Sequence, residues 1–120
     1  MSDAQILDPN AIESLRALSP EMDGSFLREL IEIYLDDTPQ RLGELETALA
    51  AGDARTMTRA AHTIKGSSSN FGANNLARIA LEIELVGKAG NCAPAAAMVP
   101  GLKAEYDLVA RALKEIAQGS

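Results

Sequence analysis

The sequence predicts an all-α fold, an antiparallel four-helix bundle with a short additional N-terminal helix. Apolar residues make up 47% of the 120 residues but aromatic residues only 3%, so the core must be aliphatic. Alanine is abundant and long runs of β-branched residues are missing, which favours helices over strands. Four long amphipathic segments joined by short polar connections pack most simply as an antiparallel bundle.

The first helix is predicted over residues 9–18, because Asp8 is a suitable N-cap and Pro9 suits the first helical position. Its short apolar stripe consists of Ile12, Leu15 and Leu18. A serine and a proline follow residue 18 and end the helix. We expect this helix to act as a lid on one end of the bundle.

The second helix is predicted over residues 23–51, with Asp23 or Ser25 as its N-cap. Its stripe follows at spacings of three and four: Leu27, Ile31, Tyr34, Thr38, Leu42, Leu45 and Leu49. Pro39 falls inside this run, where proline should break or kink a helix. Because the stripe keeps its phase across Pro39, one long kinked helix is favoured over two shorter helices.

The remaining bundle helices are predicted over residues 53–70, 74–88 and 94–118. Asp53 is the N-cap of the first of these three. Pro100 lies near the start of the last, where it must either kink the helix or delay its beginning. The sequence leaves both possibilities open.

Residues 1–120 are predicted to form a single domain, since no repeat, low-complexity tail or linker interrupts them. The net charge of -6 argues against a nucleic-acid partner. A lone cysteine, Cys92, excludes an intrachain disulfide and a multi-cysteine zinc site. With no membrane-length apolar stretch and no signal peptide, we expect a cytoplasmic protein that binds no membrane. It should be a monomer, because no large apolar face remains once the stripes are buried.

The candidate functional site centres on His62, the only histidine of the chain. On a helical wheel His62 lies roughly 125° from the centre of the apolar stripe, so it should point outward. Lys65, Gly66 and Ser69 share its exposed strip, at offsets of three, four and seven. A glycine inside a helix costs about 1 kcal/mol relative to alanine, so Gly66 indicates a close approach to the backbone. Further residues expected around the imidazole are Arg55, Thr58 and Arg59.

The chemistry available to such a histidine is limited. No metal site is expected, because His62 has no second histidine and no carboxylate at the next helical turn. A serine hydrolase would need an acidic residue to orient the histidine and an oxyanion hole. The serines at 67–69 are better explained as small residues near a helix end than as nucleophiles. An exposed neutral imidazole could itself attack a phosphoryl group, with Lys65 stabilising the oxygens and Gly66 admitting the donor.

Residues 60–73, with the sequence AAHTIKGSSSNFGA, resemble the signature of histidine-containing phosphotransfer (HPt) domains of two-component phosphorelays. The resemblance extends to the long helix before this run and the Leu- and Glu-rich helix after it. It implies that His62 takes a phosphoryl group on Nε2 from a receiver-domain aspartate and passes it to the aspartate of another receiver. Lys65 and Gly66 match the supporting positions of the family.

The resemblance also implies a residue on the next helix that fixes the imidazole. Glu84 is the candidate, because a carboxylate that accepts the Nδ1 proton would leave Nε2 free as the nucleophile. The alternative is that Glu84 is only a solvated helix charge.

The leading hypothesis is therefore a stoichiometric phosphoryl carrier rather than an enzyme. No nucleotide-binding loop is recognisable, so no ATP site is expected, and the chain should need no cofactor, with Mg²⁺ bound by the partner receiver. The expected partners are receiver domains of response regulators and of a hybrid sensor histidine kinase. The surface expected to contact them mixes apolar residues with a basic rim of Arg55, Arg59 and Lys65. Its docking residues are predicted to be Arg55, Thr58, Arg59 and Ser69. The alternatives are a helical adaptor that binds receivers without chemistry and a hydrolase that uses His62 as a base.

Overall fold

The computed structural model describes residues 6–18 and 24–119 of the chain. Six helices lie within these ranges: α1 (Pro9–Arg16), α2 (Ser25–Ala51), α3 (Ala54–Ser69), α4 (Asn74–Lys88), α5 (Ala93–Ala96) and α6 (Val99–Gly119). The four long helices α2, α3, α4 and α6 form an antiparallel bundle, as the sequence predicts. No helix in the described part of the chain is long and apolar enough to cross a bilayer.

The core lies between the four long helices. Helix α3 packs most extensively against α4 and then against α2, and α6 packs against both α2 and α4. Aliphatic side chains from all four helices are fully covered, among them Leu27, Leu45, Met57, Ile64, Leu76, Ile83, Leu102 and Leu113. Burial of these side chains is the main contribution that holds the bundle together.

Helix α1 is fixed to the turn between α3 and α4. Asp8 accepts a hydrogen bond from the Asn10 backbone N–H at 2.9 Å, which confirms the predicted N-cap. The Asp8 N–H donates to the Gly72 carbonyl oxygen at 3.0 Å. Gly72 has a φ of 69°, and a Cβ atom there would lie 2.4 Å from the Asp8 Cβ. Only glycine therefore allows this end of the bundle to meet the start of α1.

Helix α2 is continuous through Pro39, so the prediction of one long helix is correct. The prediction that Ser25 is the N-cap is wrong. Gly24 is the N-cap, with a φ of 80°, and Ser25 is the first helical residue. The other predicted cap, Asp23, lies outside the described residues.

The single helix predicted over residues 94–118 is wrong, because this segment forms the short α5 and the long α6. Helix α6 begins at Val99 and places Pro100 in its first turn. An N–H has no intrahelical partner in the first turn, so proline costs little there and suits a helix start. Pro100 therefore delays the beginning of the last helix rather than kinking it.

Candidate functional site

Helix α3 carries the candidate site and is fixed at both ends. Its N-cap, Asp53, accepts hydrogen bonds from the Thr56 backbone N–H at 3.1 Å and the Thr56 hydroxyl at 2.7 Å. These hydrogen bonds hold the pKa of Asp53 below its ordinary value. At the other end the buried Ser68 hydroxyl and the Tyr34 hydroxyl of α2 form a hydrogen bond of 2.8 Å. The cap fixes where α3 begins, and the contact with Tyr34 ties the end of α3 to α2.

The helix presents opposite faces to the core and to solvent. Ala61 and Ile64, on either side of His62, are completely buried. The His62 side chain is 65% exposed, in agreement with the position that the helical wheel predicts. Its outward direction follows from the position of the apolar residues around it in the sequence.

One ring nitrogen of His62 is held by the neighbouring helix. The imidazole Nδ1 lies 3.0 Å from Oε2 of Glu84 in α4, whose side chain is only 3% exposed. An ionised carboxylate can only accept, so the Nδ1 atom carries the proton in this contact. The Nε2 atom of the neutral ring is then unprotonated and has a free lone pair.

Glu84 also binds two lysines. The Lys65 Nζ lies 2.8 Å from Oε1, and the Lys88 Nζ lies 3.2 Å from Oε2. The Lys65 contact is the shorter of the two and pairs the ammonium with a buried carboxylate oxygen. One buried carboxylate thus joins three side chains on the surface of α3 and α4.

These contacts decide the charge of Glu84. Burial disfavours the ionised carboxyl and on its own would raise the pKa, but Lys65, His62 and Lys88 outweigh burial. Together they lower the pKa of Glu84 to about 2. The carboxylate therefore stays ionised at neutral pH and acts as a hydrogen-bond acceptor for the ring.

Gly66 lies one turn after His62 and has open space around it. A Cβ atom there would meet nothing within 4 Å, so the packing of the described residues does not require glycine at this position. The absence of a side chain leaves the backbone beside the imidazole accessible. A bulky group can approach Nε2 more closely over Gly66 than over any other residue type.

The predicted contact residues on α3 do not all lie on one exposed surface. Arg55, Arg59 and Ser69 are exposed on the same side as His62. Thr58 is half-buried, contrary to the expectation of an exposed position, because it faces α4. Its hydroxyl donates to the Ala54 carbonyl oxygen at 2.6 Å. A residue that α4 covers in this way is not part of the exposed surface around His62.

Three residues of α4 near Glu84 are missing from the sequence-based site. Leu81 is 38% exposed, Leu85 is 55% exposed, and the side chain of Lys88 is 62% exposed. Their spacing of four and three residues places them on one strip of the helix. Two exposed leucines on an otherwise amphipathic helix are a signal that a wheel of α4 could have revealed.

The described residues contain no group of three or more His, Cys, Asp or Glu side chains that could hold a metal ion. The site consists instead of the exposed His62 ring, the ammonium groups of Lys65 and Lys88, and Gly66 with open space around it. Such a set can bind and receive an anionic group.

Comparison with known proteins places this geometry in a family. The family model described as Hpt domain matches residues 29–112. The structure is similar to histidine-containing phosphotransfer protein B of Pseudomonas aeruginosa PAO1, with a TM-score of 0.89, 31% identity and coverage of 98% of each chain.

Two further proteins are similar at lower sequence identity. The Hpt domain of a hybrid sensor histidine kinase from Shewanella shares the fold, with a TM-score of 0.71, 24% identity and coverage of 83% of this chain and 86% of that one. Multistep phosphorelay regulator 1 of Schizosaccharomyces pombe is 22% identical over 72% of this chain, which spans only 30% of that longer protein. Since the family model covers most of its length, the chain belongs to the Hpt domain family, the histidine phosphotransfer intermediates of two-component phosphorelays.

Proposed function

We propose that His62 is the phosphoryl carrier of this protein, which takes the group from the aspartate of one receiver domain and passes it to another. The observation that carries the proposal is the contact between Nδ1 and the buried Glu84, which leaves Nε2 exposed and unprotonated. Its partners are receiver domains of response regulators and of a hybrid sensor histidine kinase. The protein acts as a monomer.

The transfer step requires one bond to form and one to break. The Nε2 lone pair attacks the phosphorus of an aspartyl phosphate, and the aspartate leaves as a carboxylate. The proton on Nδ1 remains on the ring, so the phosphorylated imidazole is cationic. Glu84 stabilises this cation at 3.0 Å, because its low pKa keeps it ionised throughout. Onward transfer reverses these steps with the second receiver.

Lys65 and Gly66 support the same step. Lys65 lies on the strip that faces the incoming group, and its ammonium can stabilise the negative charge on the phosphoryl oxygens. Gly66 leaves room for the receiver to bring phosphorus close to Nε2. The chain supplies neither ATP binding nor a metal ion for this reaction. The receiver holds the Mg²⁺ that neutralises the phosphoryl group before transfer.

The receiver binds over α3 and the adjacent strip of α4. Arg55 and Arg59 give this surface positive charge, which complements an acidic receiver pocket and favours association. Leu81 and Leu85 add exposed apolar area on the strip of α4 that neighbours Glu84 in sequence. A surface that combines an apolar part with a basic rim fits a transient protein partner.

The test is transfer of labelled phosphoryl from a panel of receiver domains to the wild type and to His62→Gln. We expect acid-labile label on the wild type and none on His62→Gln, whose folded stability should match because position 62 is exposed. Retention of full labelling by His62→Gln would contradict the proposal. Receiver binding without any labelling of the wild type would instead favour a non-catalytic adaptor.

A further inference from the structure

Pro39 is a feature of α2 that the candidate phosphoryl site does not explain. A proline in a helix interior removes the N–H that would donate to the carbonyl oxygen four residues earlier, and no other residue is less favourable there. Helix α2 nevertheless continues from Ser25 to Ala51. The Leu35 carbonyl oxygen therefore lacks its usual helical donor, the N–H of residue 39.

The two carbonyl groups that precede Pro39 by three and four residues differ in their side-chain partners. The Asp36 carbonyl oxygen accepts a hydrogen bond from the Gln40 side-chain amide at 3.1 Å. No side chain among residues 6–18 and 24–119 does the same for the Leu35 carbonyl oxygen. A strong acceptor without this donor is a suitable partner for an N–H group from another molecule.

Leu35 and Pro39 line a cleft between α2 and α6 with a volume of about 450 Å³, a size typical of small-ligand sites. Within the described ranges, the residues that line it all belong to these two helices. The cleft therefore lies apart from His62 and Glu84, which are carried by α3 and α4. The lining residues that α6 contributes include Tyr106, Ala110, Arg111 and Lys114.

Tyr106 supplies a buried hydroxyl group at this cleft. Its ring is only 8% exposed and packs against Tyr34, with 6.0 Å between the ring centroids. The hydroxyl has no hydrogen-bond partner in the described part of the chain, yet it is not fully covered, so its remaining exposure opens into the cleft. Burial and the Asp107 carboxylate raise the pKa of Tyr106, so the hydroxyl stays protonated and can donate.

Arg111 and Lys114 place two cations at the rim of the cleft. Both side chains belong to exposed residues, and neither forms an ion pair with any residue that the structure describes. Asp107 is the one carboxylate among the described lining residues, so the charged side chains of the lining carry a net charge of +1. This balance favours a ligand with a single negative charge.

We propose that the cleft between α2 and α6 binds a peptide-like carboxylate, a ligand that joins an amide N–H, an apolar side chain and a carboxylate. The amide N–H donates to the Leu35 carbonyl oxygen, and the carboxylate pairs with Arg111 and Lys114. The apolar side chain packs on Pro39 and Ala110, while the Tyr106 hydroxyl donates to a ligand oxygen. The end of a protein chain and a free N-acylated amino acid share this chemistry. The inference does not rest on the proposed function of His62.

The probe for this site is N-acetyl-L-phenylalanine, titrated into the ¹⁵N-labelled protein while the backbone amide shifts are followed by NMR. Two comparison probes each lack one group: N-acetyl-L-phenylalanine amide lacks the carboxylate, and 3-phenylpropionate lacks the amide N–H. We expect saturable shifts in the parts of α2 and α6 that line the cleft, and none around His62. Each comparison probe should bind about three- to tenfold more weakly, the scale of one lost polar contact.

Arg111→Met tests the contact with the carboxylate, and Lys103→Met is its matched control. Both variants remove one positive charge from an exposed residue of α6, but Lys103 pairs with Glu46 and does not line the cleft. We expect Arg111→Met to raise the Kd of the probe about three- to tenfold, whereas Lys103→Met should leave it unchanged.

Pro39→Ala tests the role of the free carbonyl group, because alanine restores the N–H that donates to Leu35. This variant should unfold at a higher temperature than the wild type and should bind the probe about three- to tenfold more weakly. A purely structural role of Pro39 would change the unfolding temperature and leave the Kd as it is, which would contradict the proposal.

Three further results would overturn the inference: no saturable shifts up to about 10 mM probe, shifts centred on His62, or equal binding of all three probes. An acetylated tripeptide that ends in phenylalanine distinguishes the two sources of the ligand. Tighter binding of the tripeptide than of the single residue indicates the end of a protein chain, and equal binding indicates a free small molecule.

Discussion

The outer face of α3 and the interface between α3 and α4 each contain a glycine near the candidate site, with opposite surroundings. Gly66, four residues after His62, has nothing within 4 Å of an added Cβ atom. Gly87, three residues after Glu84, would place a Cβ atom 2.1 Å from the Thr58 hydroxyl oxygen. The first glycine leaves space for a partner, whereas the second lets two helices approach closely.

This difference shows how an exposed histidine can be held in a defined orientation. Glu84 reaches His62 only because α3 and α4 lie close together, and Gly87 permits that distance one turn away. The outer face then needs no further packing of its own and remains open to solvent. The rigid interface supports the ring, and the open face admits the reacting group.

Of the two glycines at the site, Gly87 should have the larger effect on stability when it is changed to alanine. An added methyl group would overlap Thr58 Oγ1 and lie 3.1 Å from Met57 Cε, so these side chains must shift or the two helices must separate. We expect the free energy of unfolding to fall by about 1–3 kcal/mol, as for overpacked cores. Chemical denaturation followed by circular dichroism measures this change.

A second variant checks that the cause is the contact with Thr58. The double variant Gly87→Ala/Thr58→Ala should recover much of the lost stability, since the overlapping hydroxyl is gone. An unchanged free energy of unfolding in Gly87→Ala would show that the interface is not closely packed at this point.

A smaller effect of opposite sign is expected for Gly66→Ala. Alanine at an open helical position should raise the free energy of unfolding by up to about 1 kcal/mol. The same methyl group should slow phosphoryl transfer from a receiver, because it obstructs the approach to Nε2. Denaturation and transfer kinetics on one preparation test both parts, and faster transfer would contradict the account of the open face.

Of these effects on the free energy of unfolding, that of pH should be the smallest at neutral pH, because protonation of Glu84 requires acid. The pKa of Glu84 is lowered from its ordinary value of 4.5 to about 2 in the folded protein, so the folded state resists protonation of this group. The stability that Glu84 contributes is complete above about pH 5 and is lost as the pH falls towards 2.

The matched variant for this titration is Glu84→Gln, which cannot ionise. The difference in free energy of unfolding between wild type and variant should shrink as the pH falls from about 5 towards 2. A difference that stays constant down to pH 2 would show that the lysines and the histidine do not hold the carboxylate ionised.

Periodicity within single helices predicts much of this fold. The stripe across Pro39 predicts the continuous α2, and the wheel of α3 places His62 in solvent, both as the structure has them. Predictions are less secure at helix ends, where one backbone conformation decides the boundary. The αL conformation of Gly24 starts α2 without a side-chain cap, and the position of Pro100 separates α5 from α6.

Contacts between helices are harder to predict from sequence. A helical wheel gives the direction in which a side chain points, but it does not show which residue of the facing helix lies opposite. Thr58 is therefore predicted to be exposed although it packs on Gly87, and Lys88 is overlooked although it shares a carboxylate oxygen with His62. The exposed pair Leu81 and Leu85 lies on α4, outside the run of α3 residues that carries the family resemblance, so that run does not predict it.

The most direct test of the central claim is nitrogen NMR of the protein with ¹⁵N-labelled histidine. The chain has a single histidine, so each ring signal belongs to His62. We predict a proton on Nδ1 in the free protein at neutral pH, and coupling of Nε2 to phosphorus after phosphoryl transfer from a receiver. A neutral ring with its proton on Nε2, or phosphorus bound to Nδ1, would contradict the account.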